Sequence, residues 1–315
     1  MRKPRVGISM GDPSGVGPEV IARALADRRV RRALVPVVFG DGPSLGRLEG
    51  VEVRAVTRLP AADRRPGKPS RAGGRAQLDY VRAAVAAAKA GDVDALCTAP
   101  VSKEQISRSG ERFTGHTELL AEAFGRDVLM LMDGPRLKVA LATNHVSIRD
   151  LPRVLTRGRV ADALTLLDVS LYPLLRRAPR LAVCGLNPHA GDGGVLGRED
   201  QAVIAPAIRD AARRGIRCEG PFAADGLFAS LLRARRPRYD AVLAMFHDQG
   251  LVVVKAVDFE HTVNVTLGLP LPRTSPDHGV AYDIAGKGKA DPEPMVSALL
   301  KAAILTRAGP FAAFR

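Results

Sequence analysis

Short, almost continuous apolar runs alternate along this chain with longer stretches whose apolar residues recur at helical spacing. A strand apolar on both faces must be covered on both, and helices between successive strands supply that cover. The pattern therefore predicts an α/β fold with a parallel sheet. Strands are expected at RVGISM (5–10), LVPVVFG (34–40), VDALCTA (93–99), VLMLM (128–132), LKVALAT (137–143), RLAVCGL (180–186), YDAVLAMF (239–246), LVVVKAV (251–257) and TVNVTLG (262–268). Helices are expected over 18–29, 75–90, 158–177 and 198–215, with a last one after Pro292. LPAADRRPGKPSRAGG (59–74) reads as a flexible surface loop. With 315 residues the chain has room for two domains or one large unit.

A formal charge of +14 suggests nucleic acid, but its distribution argues against that partner. Arginine pairs such as Arg28-Arg29, Arg176-Arg177 and Arg213-Arg214 are scattered over outer helix faces. Aromatics make up only 4% and tryptophan is absent, so no stacking platform accompanies the charge. Attraction of small anions fits it as well. Cys97, Cys184 and Cys218 show no paired spacing, and the first two sit in apolar runs as small hydrophobes. No signal-peptide core and no membrane-length apolar run is seen. The expectation is a cytoplasmic protein bound to neither nucleic acid nor membrane.

Several strands end in polar tips, where an open α/β sheet presents its ligand groups. MFHDQGLVVVK places His247 and Asp248 after one strand and Lys255 at the end of the next. VALATNHV places His145, and LAVCGLNPHAGDGG places His189, at comparable points. Spacings this wide exclude a zinc finger but suit a site assembled from several loops. GDPSGVGPE (11–19) opens a helix without being a dinucleotide fingerprint, since Val20 stands where the third glycine belongs, and no GK[ST] follows. Lys103, His116, Thr117, Asn264 and Arg273 offer cations and hydrogen-bond donors suited to a phosphate or carboxylate. From residues alone, a metal-dependent hydrolase or a sugar-phosphate sensor stays open beside a dehydrogenase.

The motifs GDPSGVGPE, TAPVSKE, GHTE, TNHV, GLNPHAGDGG-x-x-GRE, HDQG-x-x-x-K, VN-x-TLGLP-x-x-RTS and DHG-x-A-x-x-IAGKGKAD resemble, in order, those of the 4-hydroxythreonine-4-phosphate dehydrogenases. HGVAYDIAGKGKADP (278–292) is similar to the adenosine-binding loop of isopropylmalate and isocitrate dehydrogenases. The resemblance implies a two-domain α/β/α sandwich of that type with its active site in the interdomain cleft. Residues 1–112 and 265–315 would bind cofactor, and 113–264 would hold the metal and dimerise.

By the same resemblance, His145, His189 and His247 are metal ligands shared across a homodimer interface. His116, Thr117, Lys255, Asn264 and Arg273 bind substrate, and His278, Gly279, Ala281, Asp283 and Asp291 line the cofactor site. Asp248, Lys103 or a metal-bound water would accept the proton. The implied reaction is NAD-dependent oxidation of 4-phosphohydroxy-L-threonine at C3, with decarboxylation to 3-amino-2-oxopropyl phosphate, in pyridoxal phosphate biosynthesis. Imidazole ligands suit zinc or cobalt better than magnesium, although the family implies any of the three. Asp283 beside the adenosine ribose would favour NAD over NADP. Relatives acting on phosphothreonate or phosphoerythronate keep another four-carbon acid open. Gly226 in GPFAADGLF stands where the family pattern has threonine, and 59–74 is abbreviated.

Overall fold

The structure is a computed structural model that describes residues 2–309. In chain order it contains β1 (Arg5–Ser9), α1 (Gly17–Ala26), α2 (Arg28–Ala33), β2 (Val35–Asp41), α3 (Gly42–Leu45), β3 (Glu52–Thr57), α4 (Arg71–Lys89), β4 (Ala95–Thr98), α5 (Lys103–Arg108) and α6 (His116–Phe124). Next come β5 (Leu129–Asp133), β6 (Lys138–Leu141), α7 (Leu151–Val154), α8 (Arg157–Leu175), β7 (Leu181–Cys184), α9 (Ala205–Arg213), β8 (Cys218–Phe222), α10 (Ala224–Arg233), β9 (Ala241–Ala244) and α11 (His247–Asp258). The chain closes with β10 (Val263–Leu267), β11 (Arg273–Pro276) and α12 (Glu293–Ala308).

The described residues pack as two units. Unit 1 comprises 2–127, 263–265 and 269–309, and unit 2 comprises 128–262 and 266–268. Residues 113–127, placed in the middle segment by the sequence reading, pack with unit 1. In unit 1 the strands run β3-β2-β1-β4-β11, all parallel. In unit 2 they run β5-β6-β9-β7-β8, parallel except for the antiparallel β5–β6 pair. Both units have the α/β character that the alternating pattern predicts. No described helix is long and apolar enough to cross a membrane.

The core of unit 2 follows from strand periodicity. Met130 and Met132, Val139 and Leu141, Ala182 and Cys184, and Val242 and Ala244 each alternate onto one face. Leu227, Phe228 and Leu231 of α10 cover that face together with Leu251 and Val254 of α11. In unit 1, Cys97 lies wholly buried in β4. One arginine of each pair is partnered at the surface: Arg29 binds Asp27 and Glu293, Arg177 binds Asp240, and Arg213 binds Asp210.

Three expectations need correction. LVVVKAV is not a strand but the body of α11. A strand period would bury 251, 253 and 255 together and draw Lys255 into the core. The helix instead buries Leu251 and Val254, leaves Val252 64% exposed, and puts Lys255 in its last turn. The 59–74 segment is ordered, with a short helical turn at Ala61–Arg64 and Ser70 capping α4 through the Gly73 N–H at 3.0 Å. The 198–215 helix begins as a π-helical turn at Asp200–Ile204 before α9. Strands β3, β8 and β11 and helices α5, α6 and α10 were not anticipated.

The helical face of α11 is testable by urea denaturation. Leu251→Ala should lose about 2–5 kcal/mol, as large-to-small core substitutions do. Val254→Ala should cost more than Val253→Ala. The reverse order would restore the strand.

Candidate active site

In unit 2, β6, β9 and β7 are neighbours and mutually parallel, so their C-terminal ends share one sheet edge. His145 follows β6, His247 follows β9, and His189 follows β7. The His145 and His247 rings lie 5.6 Å apart, centroid to centroid. His247 is the first residue of α11, and its Nδ1 lies 2.7 Å from the Asp248 carboxylate. A carboxylate on one imidazole nitrogen orients the ring and leaves Nε2 for a metal.

His189 sits differently. It opens a run of left-handed backbone, with φ of 52° at His189, 53° at Ala190 and 43° at Asp192. Side chains rarely adopt this conformation, and it persists only where neighbours hold it. Asp200, 1% exposed, does so: its carboxylate accepts the Leu186 N–H at 2.7 Å, the Asn187 N–H at 3.2 Å and the Asn187 amide at 2.8 Å. Asp200 was read only as part of a helix, because its partners lie across a loop. Two imidazoles meet and a third stands at the same edge, a donor set that suits a borderline divalent ion. Among the described residues of one chain, no three such groups come close enough to hold an ion.

Unit 1 gathers the anion-binding candidates. Arg273 begins β11 beside Leu96 of β4, only 2% exposed, and its Nη2 donates to Thr98 Oγ1 at 2.5 Å. Burial lowers its pKa to about 10, against the pull of Cys97 and Glu118, so it remains a cation at neutral pH. His116 and Thr117 open α6, whose first N–H groups have no side-chain cap. Burial, with the Arg273 and Lys103 cations, holds the His116 imidazole well below its usual value, so it is neutral. Lys103 is the first residue of α5, behind the Ser102 cap. Asn264 lies in β10 within this unit. Lys255 belongs to unit 2, where its Nζ lies 5.9 Å from the Phe259 ring.

The cofactor candidates form the stretch between β11 and α12. His278 Nδ1 is 2.9 Å from the Gly279 carbonyl, and Ala281 adopts φ 44°. Asp283 is exposed. Asp291 accepts the Glu293 N–H at 2.9 Å and so opens α12. Tyr282, not singled out in the sequence, donates to Asp12 at 2.5 Å.

A family model described as pyridoxal phosphate biosynthetic protein PdxA matches residues 23–302. A 4-hydroxythreonine-4-phosphate dehydrogenase from Geobacter metallireducens is 42% identical over 97% of this chain and 96% of its own. A protein from Oceanobacillus iheyensis named "Putative D-threonate 4-phosphate dehydrogenase" is 38% identical over 96% of this chain and 97% of its own. The crystal structure of a 4-hydroxythreonine-4-phosphate dehydrogenase from Klebsiella pneumoniae matches at TM-score 0.83, 33% identity, and 96% and 100% coverage. An isocitrate dehydrogenase from Methylococcus capsulatus, 14% identical at TM-score 0.50 over 95% of this chain and 83% of its own, shares the fold alone.

The depressed His116 pKa has a stability consequence. Below about pH 6.5 the unfolded chain takes up a proton that folded His116 refuses, so stability falls as pH drops through that value. His116→Gln should flatten this acid slope, measured as the variant's Tm between neutral and mildly acid pH against the wild type. Parallel slopes would mean that His116 is protonated in the fold.

Proposed function

Because the chain belongs to the PdxA family and is an oxidoreductase of the two-unit isocitrate dehydrogenase type, we propose that it oxidises 4-phosphohydroxy-L-threonine at C3. The oxidised product then loses carbon dioxide to give 3-amino-2-oxopropyl phosphate. Family membership decides against the hydrolase and the sensor. The observation that carries the metal-dependent reading is the shared edge of β6, β9 and β7, with His145 and His247 at 5.6 Å.

When bound, a divalent metal supplies Lewis-acid polarisation of the substrate hydroxyl, and NAD supplies the hydride acceptor. His145, His189 and His247 are the residues that would hold the metal, with zinc, cobalt or magnesium as the candidate ions. Asp248 fixes the His247 ring through Nδ1. Arg273 and the free N–H groups opening α6 bind the phosphate, where neutral His116 and Thr117 donate hydrogen bonds. Asn264 and Lys255 complete the substrate set, and the Lys103 cation beside His116 adds to the attraction for the anion. His278, Gly279, Ala281, Asp283 and Asp291 belong to the loop that receives NAD in preference to NADP, Asp283 facing the ribose hydroxyls. We propose that it acts in the cytoplasm.

We further propose a homodimer in which ligands from both chains complete the metal site. Large exposed apolar side chains follow each candidate ligand in sequence: Ile148 after His145, Val195 after His189, and Val252 after His247, exposed by 70%, 81% and 64%. An apolar side chain exposed beside each candidate ligand is surface that a partner chain would bury. The Oceanobacillus relative's name favours one second reading, oxidation of D-threonate 4-phosphate.

The reaction is tested by following the absorbance of reduced nicotinamide with NAD, a divalent metal and each phosphorylated acid. The wild type should turn over 4-phosphohydroxy-L-threonine, and His145→Ala and His247→Ala should lose about two decades or more in kcat/KM. Faster turnover of D-threonate 4-phosphate would establish the second reading, and undiminished activity in both variants would remove the metal site. For the dimer, Val195→Asp with Val252→Asp should shift the sedimenting species to monomer, with activity lost in parallel. A fully active monomer would refute it.

A further inference from the structure

The segment between β11 and α12 has no regular structure, and its own backbone hydrogen bonds are few: Ile284 N–H to Ala281 at 3.2 Å and Lys287 N–H to Ile284 at 3.1 Å. Its shape is set by what presses on it. Val16 N–H donates to the Val280 carbonyl at 2.9 Å, and Gly286 N–H donates to Glu19 at 3.1 Å. Two glycines mark where neighbouring chain lies flat against it. A Cβ at Gly15 would meet the Val280 carbonyl oxygen at 2.8 Å, and one at Gly67, already at φ 72°, would meet that of Tyr282 at 2.8 Å. One loop side chain reaches inward between these contacts. Tyr282 donates its phenol hydrogen to Asp12 Oδ2 at 2.5 Å.

Asp12 is a junction. It is 1% exposed, and its carboxylate also accepts the Ser14 N–H at 2.8 Å and the Gln77 amide at 2.7 Å. Gln77, wholly buried, accepts the Ser102 N–H at 2.7 Å through its carbonyl, and Ser102 Oγ caps α5 on the Gln105 N–H at 3.2 Å. A hydrogen-bond path thus runs from the loop through Asp12 and Gln77 to Ser102, the residue that precedes Lys103. We propose that Tyr282 is a positioning residue for the dinucleotide: through Asp12 it holds the 278–286 loop in its binding shape before the cofactor arrives. This rests on the reading that the loop receives NAD. Burial and the Asp12 carboxylate raise the phenol's pKa, so it stays a donor. Buried charge-assisted bonds of this kind are strong, and a carboxylate stripped of one donor is left underpaired. A loop ordered in advance spares the ligand the cost of ordering it.

The test pairs Tyr282→Phe with NADH fluorescence titration, steady-state kinetics and hydrogen exchange. The NADH Kd and the KM for NAD should rise roughly tenfold, the worth of one hydrogen bond to a charged group. The KM for the phosphorylated substrate should stay within about twofold, and kcat should fall by less than the KM for NAD rises. The Val16 and Gly286 amides should exchange faster, while the unit 2 core strands exchange as before. A merely structural role would lower the Tm and speed exchange throughout. Asp12→Asn approaches the same bond from its other end and should reproduce the pattern if Tyr282→Phe fails to fold. Equal NADH affinity in the variant and the wild type, or unchanged exchange at Gly286, overturns the proposal. If NADH protects no amide between 278 and 290 in the wild type, the reading of the loop as the nucleotide site fails instead.

Discussion

A guanidinium placed at the start of a buried strand sets the electrostatics of unit 1. Taking such a charge out of water costs several kcal/mol even after relaxation, and Arg273 is 2% exposed. Thr98 takes one of its donors and Glu118 contributes an opposing charge. The same burial that makes the cation costly also strengthens its attraction for an anion, since little water screens it. It determines the state of the neighbouring imidazole as well. With Arg273 and Lys103 close by and water excluded, His116 is neutral, so it can serve as hydrogen-bond donor or acceptor without adding a third positive charge.

Unit 2 meets the opposite demand. Imidazoles proposed to bind a metal must be accessible yet rigid, and two of the three strand tips achieve this differently. His247 is fixed by the first turn of α11 and by the adjacent Asp248 carboxylate. His189 is carried on backbone that only outside support maintains, and the buried Asp200 carboxylate provides it through three donors. The strain and its support lie on one short segment, 186–200, so they are inherited together.

Most strands were legible because parallel strands buried on both faces are apolar throughout, as LMLM of β5 and LAVC of β7 show. β3 and β8 were not, since each ends its unit's strand order and exposes much of its length, which erases the apolar run. β11 is buried but reads RTSP, a polar sequence with no apolar run to mark it as a strand. LVVVKAV misled because a short apolar run fits either period, and α10 supplies the other half of the cover that makes it a helix. The candidate ligands were legible as polar breaks after apolar runs. The Tyr282–Asp12 bond was not, because its partners are 270 residues apart and the motifs that contain them give no sign that they touch.

The order of strands also has a consequence for synthesis. β4 pairs on one side with β1, made before it, and on the other with β11, which follows all of unit 2. As the chain leaves the ribosome, β4 therefore presents an unpaired edge until residue 273 has emerged, while unit 2 can condense first. Domains fold as units in the order they are made, and an open parallel edge invites pairing with other chains. Here the inserted body is complete before the one that encloses it in sequence, so the nascent chain's exposure to chaperones falls on the first unit and not on the last.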